Sequence, residues 1–194
     1  MTISLDIPST RVPGSYIDFD SSQALSGLPA VPKRVLIIGQ LLAAATVAAL
    51  TAVQMFSAGQ GVAAFGRGSM LAQMVAAFKG ANDQTECWAI GVADLLAGTF
   101  ATQTLTFTGP ATGAGTLPLM VAGTSVPVGV NAGDTATVVA TATAAAVNAL
   151  PDLPVSAAAA AGVVTLTARH KGLCGNDIDV RLAYYPGDTI PTGL

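Results

Sequence analysis

The spacing of apolar and polar residues divides this 194-residue chain into blocks of different period. From Val35 to Gly39 the β-branched run "VLIIG" predicts a buried strand that ends in a turn. Leu41 to Ala49 fits a loop or a helix, since alanine favours helix but nothing caps the segment. "LTAVQMF" (Leu50 to Phe56) predicts a second strand, with Ser57 as N-cap of a short turn, "AGQGVAAFG", that closes on Gly66. Ser69 precedes Met70, Leu71, Met74, Val75 and Phe78, which fall on one side of a helix. Lys79 in its last turn suits the helix dipole, and Gly80 is expected to end it. "ECWAIGVA" (Glu86 to Ala93) predicts a further strand. Strand–helix–strand order implies a small α/β layer with a parallel sheet.

Beyond Gly98 threonine becomes frequent and the period shortens to two. "TQTLTFTG" places Leu105 and Phe107 on one strand face. "GTLPLMVAGTSVPVGV" predicts a hairpin turning at Ala122–Thr124. Asp134 is positioned to cap a helix over "TATVVATATAAAVNAL", ending between Asn148 and Pro151. "DLPVSAAAAAGVVTLTARHKG" predicts a second hairpin turning near Gly162. "DIDVRLAYYPG" predicts a closing strand with Ile178, Val180, Leu182 and Tyr184 on one face. The predicted fold class is α+β or α/β: an α/β segment over 31–98 and a β-rich domain with one helix over 99–188, followed by a tail at 189–194.

Residues 1–30 predict an extended N-terminal arm. Tyr16, Asp18 and Asp20 share one strand face, with Ser15, Ile17 and Phe19 on the other. Neither face is an apolar stripe, yet Tyr16, Ile17 and Phe19 are too apolar for a free tail. They are expected to dock on something outside their own core.

Composition narrows the possibilities. Charged residues make up 10% of the chain, where soluble domains carry about 25%, and mean hydropathy is +0.61. Small residues raise the hydropathy, but a surface so poor in charge also suits a protein covered by neighbours in an assembly. The net charge is −3, with no basic stripe, which argues against nucleic-acid binding. Val35 to Phe56 is long enough to span a membrane. Its Gly39-Gln40 break and its Ala/Thr-rich middle argue for strand and turn instead. "MTISLDIPST" has neither a basic nor an apolar signal region. Cys87 and Cys174 are therefore expected to be reduced thiols in a chain made in the cytoplasm.

Candidate chemistry is sparse. The glycine-rich "GQGVAAFGRGS" opens toward a helix, but it lacks the Gly-Lys-Ser/Thr ending of a phosphate loop and the spacing of a dinucleotide loop. His170 is the sole histidine, and no serine sits in a nucleophile elbow. Cys174 lies four positions from His170, on what reads as a loop rather than a relay. Without a Cys/His cluster, four-ligand zinc is excluded. "GNDID" lacks calcium-loop spacing and reads as an Asx-type turn at Asn176 and Asp177. Asp18 and Asp20, about 7 Å apart along a strand, read as solvated edge charges. No catalytic, metal or cofactor site is expected.

Five stretches, in order, resemble the tail sheath proteins of Mu-like contractile-tail bacteriophages and prophages: "RVPGSYIDFDSSQALSGLP", "KRVLIIGQ", "FGRGSMLAQMVAAFKGAN", "ECWAIGVAD" and "TARHKGLCGNDIDVRLAYYPGD". The similarity runs over nearly the whole chain. It implies a structural protein of the virion, without enzymatic activity or cofactor, whose partners are copies of itself and the tail tube protein. Such subunits form a helical sleeve that contracts and drives the tube through the host envelope. Sheath proteins are considerably longer, so the resemblance is to their N-terminal portion. Carried onto this numbering, it implies an inter-subunit arm at 11–25, the start of the main domain at 31–98 and an outward-facing insertion at 99–188. Strand addition fits such an arm, since main-chain bonds supply affinity and alternate side chains specificity. Tyr16, Ile17 and Phe19 are the residues expected to dock. Two rival readings remain: a virion-surface module for adhesion or carbohydrate recognition through the β-rich domain, and a nucleotide-binding α/β enzyme.

Overall fold

Strand β1 (Arg34–Gln40) is the first described element, since the computed structural model describes residues 33–194. Tyr16, Ile17, Phe19 and the Asp18/Asp20 pair lie outside the described residues. β1 pairs in parallel with β3 (Glu86–Val92), and β2 (Ala52–Met55) pairs antiparallel on the other side of β3. The sheet is thus mixed, in the order β1-β3-β2. Strand–helix–strand order correctly implied the parallel β1–β3 pair. It did not reveal that the short β2 would enter beside β3 from the opposite direction.

Two helices cover one face of this sheet. Ser57 accepts a hydrogen bond from Gln60 N–H and caps a true helix, α1 (Ala58–Phe65), where the sequence suggested only a turn. Ser69 caps α2 (Met70–Ala81) through Ala72 N–H. That helix passes through Gly80 and ends where Asn82 exchanges two hydrogen bonds with Thr85. Ile37, Cys87, Ala89 and Met55 from the strands pack against Phe65, Leu71 and Val75 from the helices. Gly61 lets the helices approach, since a Cβ there would lie 2.9 Å from Val75. The uncertain segment 41–49 is irregular, and with the flanking strands it resolves the apolar run Val35–Phe56 into strand, loop and strand. Among the described residues no helix is long and apolar enough to cross a membrane.

The expectation that Val35–Gly39 would be a buried strand holds on one side only. Val35, Ile37 and Gly39 face the helices, while Leu36 and Ile38 are more than half exposed on the opposite face.

The β-rich part contains two antiparallel three-stranded sheets with a helix packed against both. β4 (Phe100–Thr106), β8 (Val163–Lys171) and β7 (Val155–Ala160) form one, in the order β4-β8-β7. β5 (Gly115–Val121), β6 (Thr124–Val130) and β9 (Val180–Leu182) form the other, in the order β6-β5-β9. Helix α3 (Ala136–Asn148) buries Val139, Ala140, Ala144 and Val147 against Leu117, Leu119, Val126, Val128, Val164 and Leu166. Both predicted hairpins form. They turn at Ala122-Gly123 and Ala161-Gly162, where all four residues have positive φ, as a two-residue hairpin loop of type I′ requires.

Two local expectations need correction. Thr135, not Asp134, caps α3 by accepting from Val138 N–H. The Asp134 carboxylate instead accepts from Asn131 N–H at 2.7 Å and closes the preceding turn. The predicted closing strand shrinks to Val180–Leu182, because Leu173–Asp177 forms a short 3-10 turn and Ala183 adopts positive φ. Asn176 and Asp177 therefore belong to that turn rather than to a separate Asx loop.

Candidate functional site

Polar side chains converge where the C-terminal ends of β1 and β3 meet the end of β8 and the start of α2. Gln40 is the last residue of β1, Asp94 follows β3, His170 and Lys171 end β8, and Met70 opens α2. Met70 N–H donates to His170 Nε2 at 3.0 Å. That nitrogen must therefore be an acceptor, so the proton sits on Nδ1, 3.0 Å from Asp94 Oδ1. Asp94 also accepts from Gln40 Nε2 at 2.9 Å and, through Oδ2, from Lys171 N–H at 2.9 Å. Gln40 Nε2 lies 3.3 Å from the Lys171 carbonyl as well, and its Oε1 accepts from the Cys174 thiol at 3.3 Å. His170 is buried and Asp94 largely so.

The arrangement joins the two halves of the described fold. A helix start leaves four N–H groups without intrahelical partners. Ser69 takes one and His170, from the far half, takes another. A second set of contacts lies beside the first. Arg67 donates to both carboxylate oxygens of Asp152, at 2.9 and 3.1 Å, and Gln73 Nε2 donates to the Asp152 carbonyl at 2.6 Å. The hydrogen bond from Arg67, helped by its charge, holds the Asp152 carboxyl below its usual range. Arg169 Nε donates to the Leu153 carbonyl at 2.7 Å and fixes the loop that carries Asp152.

The sequence placed His170 and Cys174 on a loop without a relay. The structure brings His170 and Cys174 to one small cleft, with Asp94 bonded to the His170 ring, a grouping that resembles a nucleophile with its base and orienting acid. The bonding says otherwise. The nitrogen that would take a thiol proton is already bonded to Met70 N–H, and the thiol points to Gln40. The group is chemically a latch.

The remaining candidates resolve individually. Gly59 and Gly61 lie inside α1, so the glycine-rich segment forms no phosphate cradle, and the α2 start beyond it is occupied by Ser69 and His170. Asp179 pairs with Arg181 at 2.8 Å. Among the described residues no group of three or more His, Cys, Asp or Glu side chains could hold a metal ion. Cys87 is buried and Cys174 half-buried, both as free thiols, and burial pushes the Cys87 thiol up from its ordinary value. Sequence reasoning missed Gln40 and Asp94. The available signal was a lone polar residue directly after each of two apolar strands.

The second surface of note is the face of the β1-β3-β2 sheet opposite the helices. Leu36 and Ile38 of β1 lie in register with Trp88 and Ile90 of β3. At one end, Glu86 accepts from the Trp88 indole and from Arg34, each at 2.8 Å, and the indole bond is the main reason its carboxyl titrates lower than usual.

No protein-family profile matches the chain. The chain is 43% identical, over 196 aligned residues, to the Mu-like prophage FluMu tail sheath protein of Haemophilus influenzae (strain ATCC 51907 / DSM 11121 / KW20 / Rd). This chain is related along its whole length to a tail sheath protein. The match takes in all of this chain and 40% of the Haemophilus protein, so the chain spans well under half the length of that relative. The resemblance seen in the five sequence stretches thus extends over every block, and an N-terminal portion of a sheath protein fits it.

Proposed function

We propose that this chain forms the N-terminal portion of a structural subunit of a phage contractile tail sheath. Copies would polymerise around the tail tube in the virion, and contraction of the sleeve would drive the tube through the host envelope. The observation that carries this reading is 43% identity across the whole chain to a tail sheath protein. The low charge content, 10% of residues, supports a molecule whose surface is largely shared with neighbours. Repeated head-to-tail contacts whose rotation does not close give a helical filament, and a sleeve with two packings of the same contacts can store and release energy.

In this reading 31–98 begins the main domain, 99–188 faces outward, and Tyr16, Ile17 and Phe19 add the leader to a neighbouring subunit. The partners are copies of the same protein and the tail tube, and no cofactor is involved. The test is a full-length sheath protein carrying this sequence with Ile17→Asp and Phe19→Asp. Electron microscopy should show short or absent sheaths, while sheaths of normal length and stability would refute the role of the arm.

A second reading, a carbohydrate-recognising module on the virion surface, draws on one feature. Thr102 and Thr104 of β4 lie opposite Thr167 and Thr165 of β8 on a hydroxyl-rich face. Failure of the chain to bind any glycan on an array would dismiss it.

A further inference from the structure

We propose that the open face of the β1-β3-β2 sheet is the seat of an amphipathic helical layer, supplied by the part of a sheath polypeptide that lies outside the match to this chain. The helices α1 and α2 cover one face only. On the other, Leu36, Ile38 and Val92 are 53%, 55% and 38% exposed, and Trp88 and Ile90 are half-buried beside them. Sheets built only of parallel strands are almost always covered on both faces, and their strands carry apolar side chains on each. The β1–β3 pair has that composition on both faces and a cover on one.

Area argues against a second copy as the occupant. Strands about 4.8 Å apart, with about 3.3 Å per residue, give this face on the order of 300 Å². A stable complex between separate proteins needs roughly 800 Å² per partner, because association costs translational and rotational freedom. A second copy docking here alone would fall short. A layer belonging to the same polypeptide does not carry that cost, and more than half of the Haemophilus relative lies outside the matched portion. Glu86 and Arg34 form a charged rim at one end of the patch, and Gln40 and Asp94 a polar one at the other, which suits a helix lying across the apolar centre.

This inference rests on the kinship and on the relative's length, not on assembly or contraction, so it can fail while the sheath reading stands. The test grafts this chain in place of the matched portion of the Haemophilus sheath protein. The soluble, unpolymerised graft is then compared with the 194-residue chain by hydroxyl-radical footprinting. Oxidation of Leu36, Ile38 and Trp88 should be strong in the short chain and several-fold weaker in the graft, with exposed Leu96 unchanged. In the short chain, Leu36→Ser with Ile38→Ser should leave the melting temperature within a few degrees of the parent, which shows that these side chains are not part of its own core. The same pair in the graft should lower it clearly. Equal oxidation in both proteins overturns the proposal. So does shielding already present in the short chain, which would assign the face to its own leader or to a second copy, and so does shielding of the graft that arises only on polymerisation.

Discussion

Asp94 is bonded only to donors: the His170 Nδ1–H, the Gln40 amide and the Lys171 N–H. An asparagine there keeps the shape but must turn an NH2 group toward one of them. Asp94→Asn should therefore cost about 1–3 kcal/mol, the range for a buried polar group left without its partner, in urea unfolding of the whole chain. His170 shows why the residue scale was hard to read from sequence. The only histidine in a chain invites a catalytic or metal role. What sets its chemistry is Met70 N–H, one hundred positions away in the chain. That bond fixes the tautomer and uses the lone pair that catalysis would need.

At the scale of elements, the glycines of α1 separate helix propensity from packing. Gly59 is exposed and a Cβ there would meet nothing within 4 Å, whereas a Cβ on Gly61 would press on Val75. Gly59→Ala should stabilise the protein by roughly 0.5–1 kcal/mol. Gly61→Ala gains the same helix propensity but overpacks the α1–α2 contact, at a cost of about 1–3 kcal/mol, so it should lower the thermal midpoint while its neighbour raises it. The sequence revealed elements with strong local signals: α2 from its apolar stripe and Ser69 cap, and both hairpins from their glycine turns. It failed where tertiary context decides. Thr135 and Asp134 are both good caps by type, and only the turn at Asn131 shows which one is free to cap. Likewise β9 stops at Leu182 because its pairing with β5 covers only Leu119–Val121, a length no alternation pattern encodes. The open face of β1 was hidden for a similar reason. An apolar run shows that both faces want cover, not which one has it.

At the scale of the whole molecule, two separate cores share one boundary. One gathers residues from β1–β3, α1 and α2, the other from both antiparallel sheets and α3. Their coupling runs through the Asp94–His170–Met70 chain and the Arg67–Asp152 clasp, with the Gln40–Lys171, Gln40–Cys174 and Gln73–Asp152 hydrogen bonds beside them and the covalent link after Gly98. Calorimetry of the parent should show one cooperative transition. Combining Asp94→Asn with Arg67→Ala should split it into two, since each core retains its own packing. A single transition in the double variant would show that other contacts couple the halves.

The unequal settings of the two thiols have a practical consequence. Cys87 is sealed under the helices and its thiol holds its proton more firmly than usual, while Cys174 sits half-open at the junction, bonded to Gln40. A maleimide dye offered to the native protein should therefore settle at one address, on the seam between the two cores. The unmutated chain thus carries its own strain gauge, and the dye's emission would report whether that seam stays shut or parts.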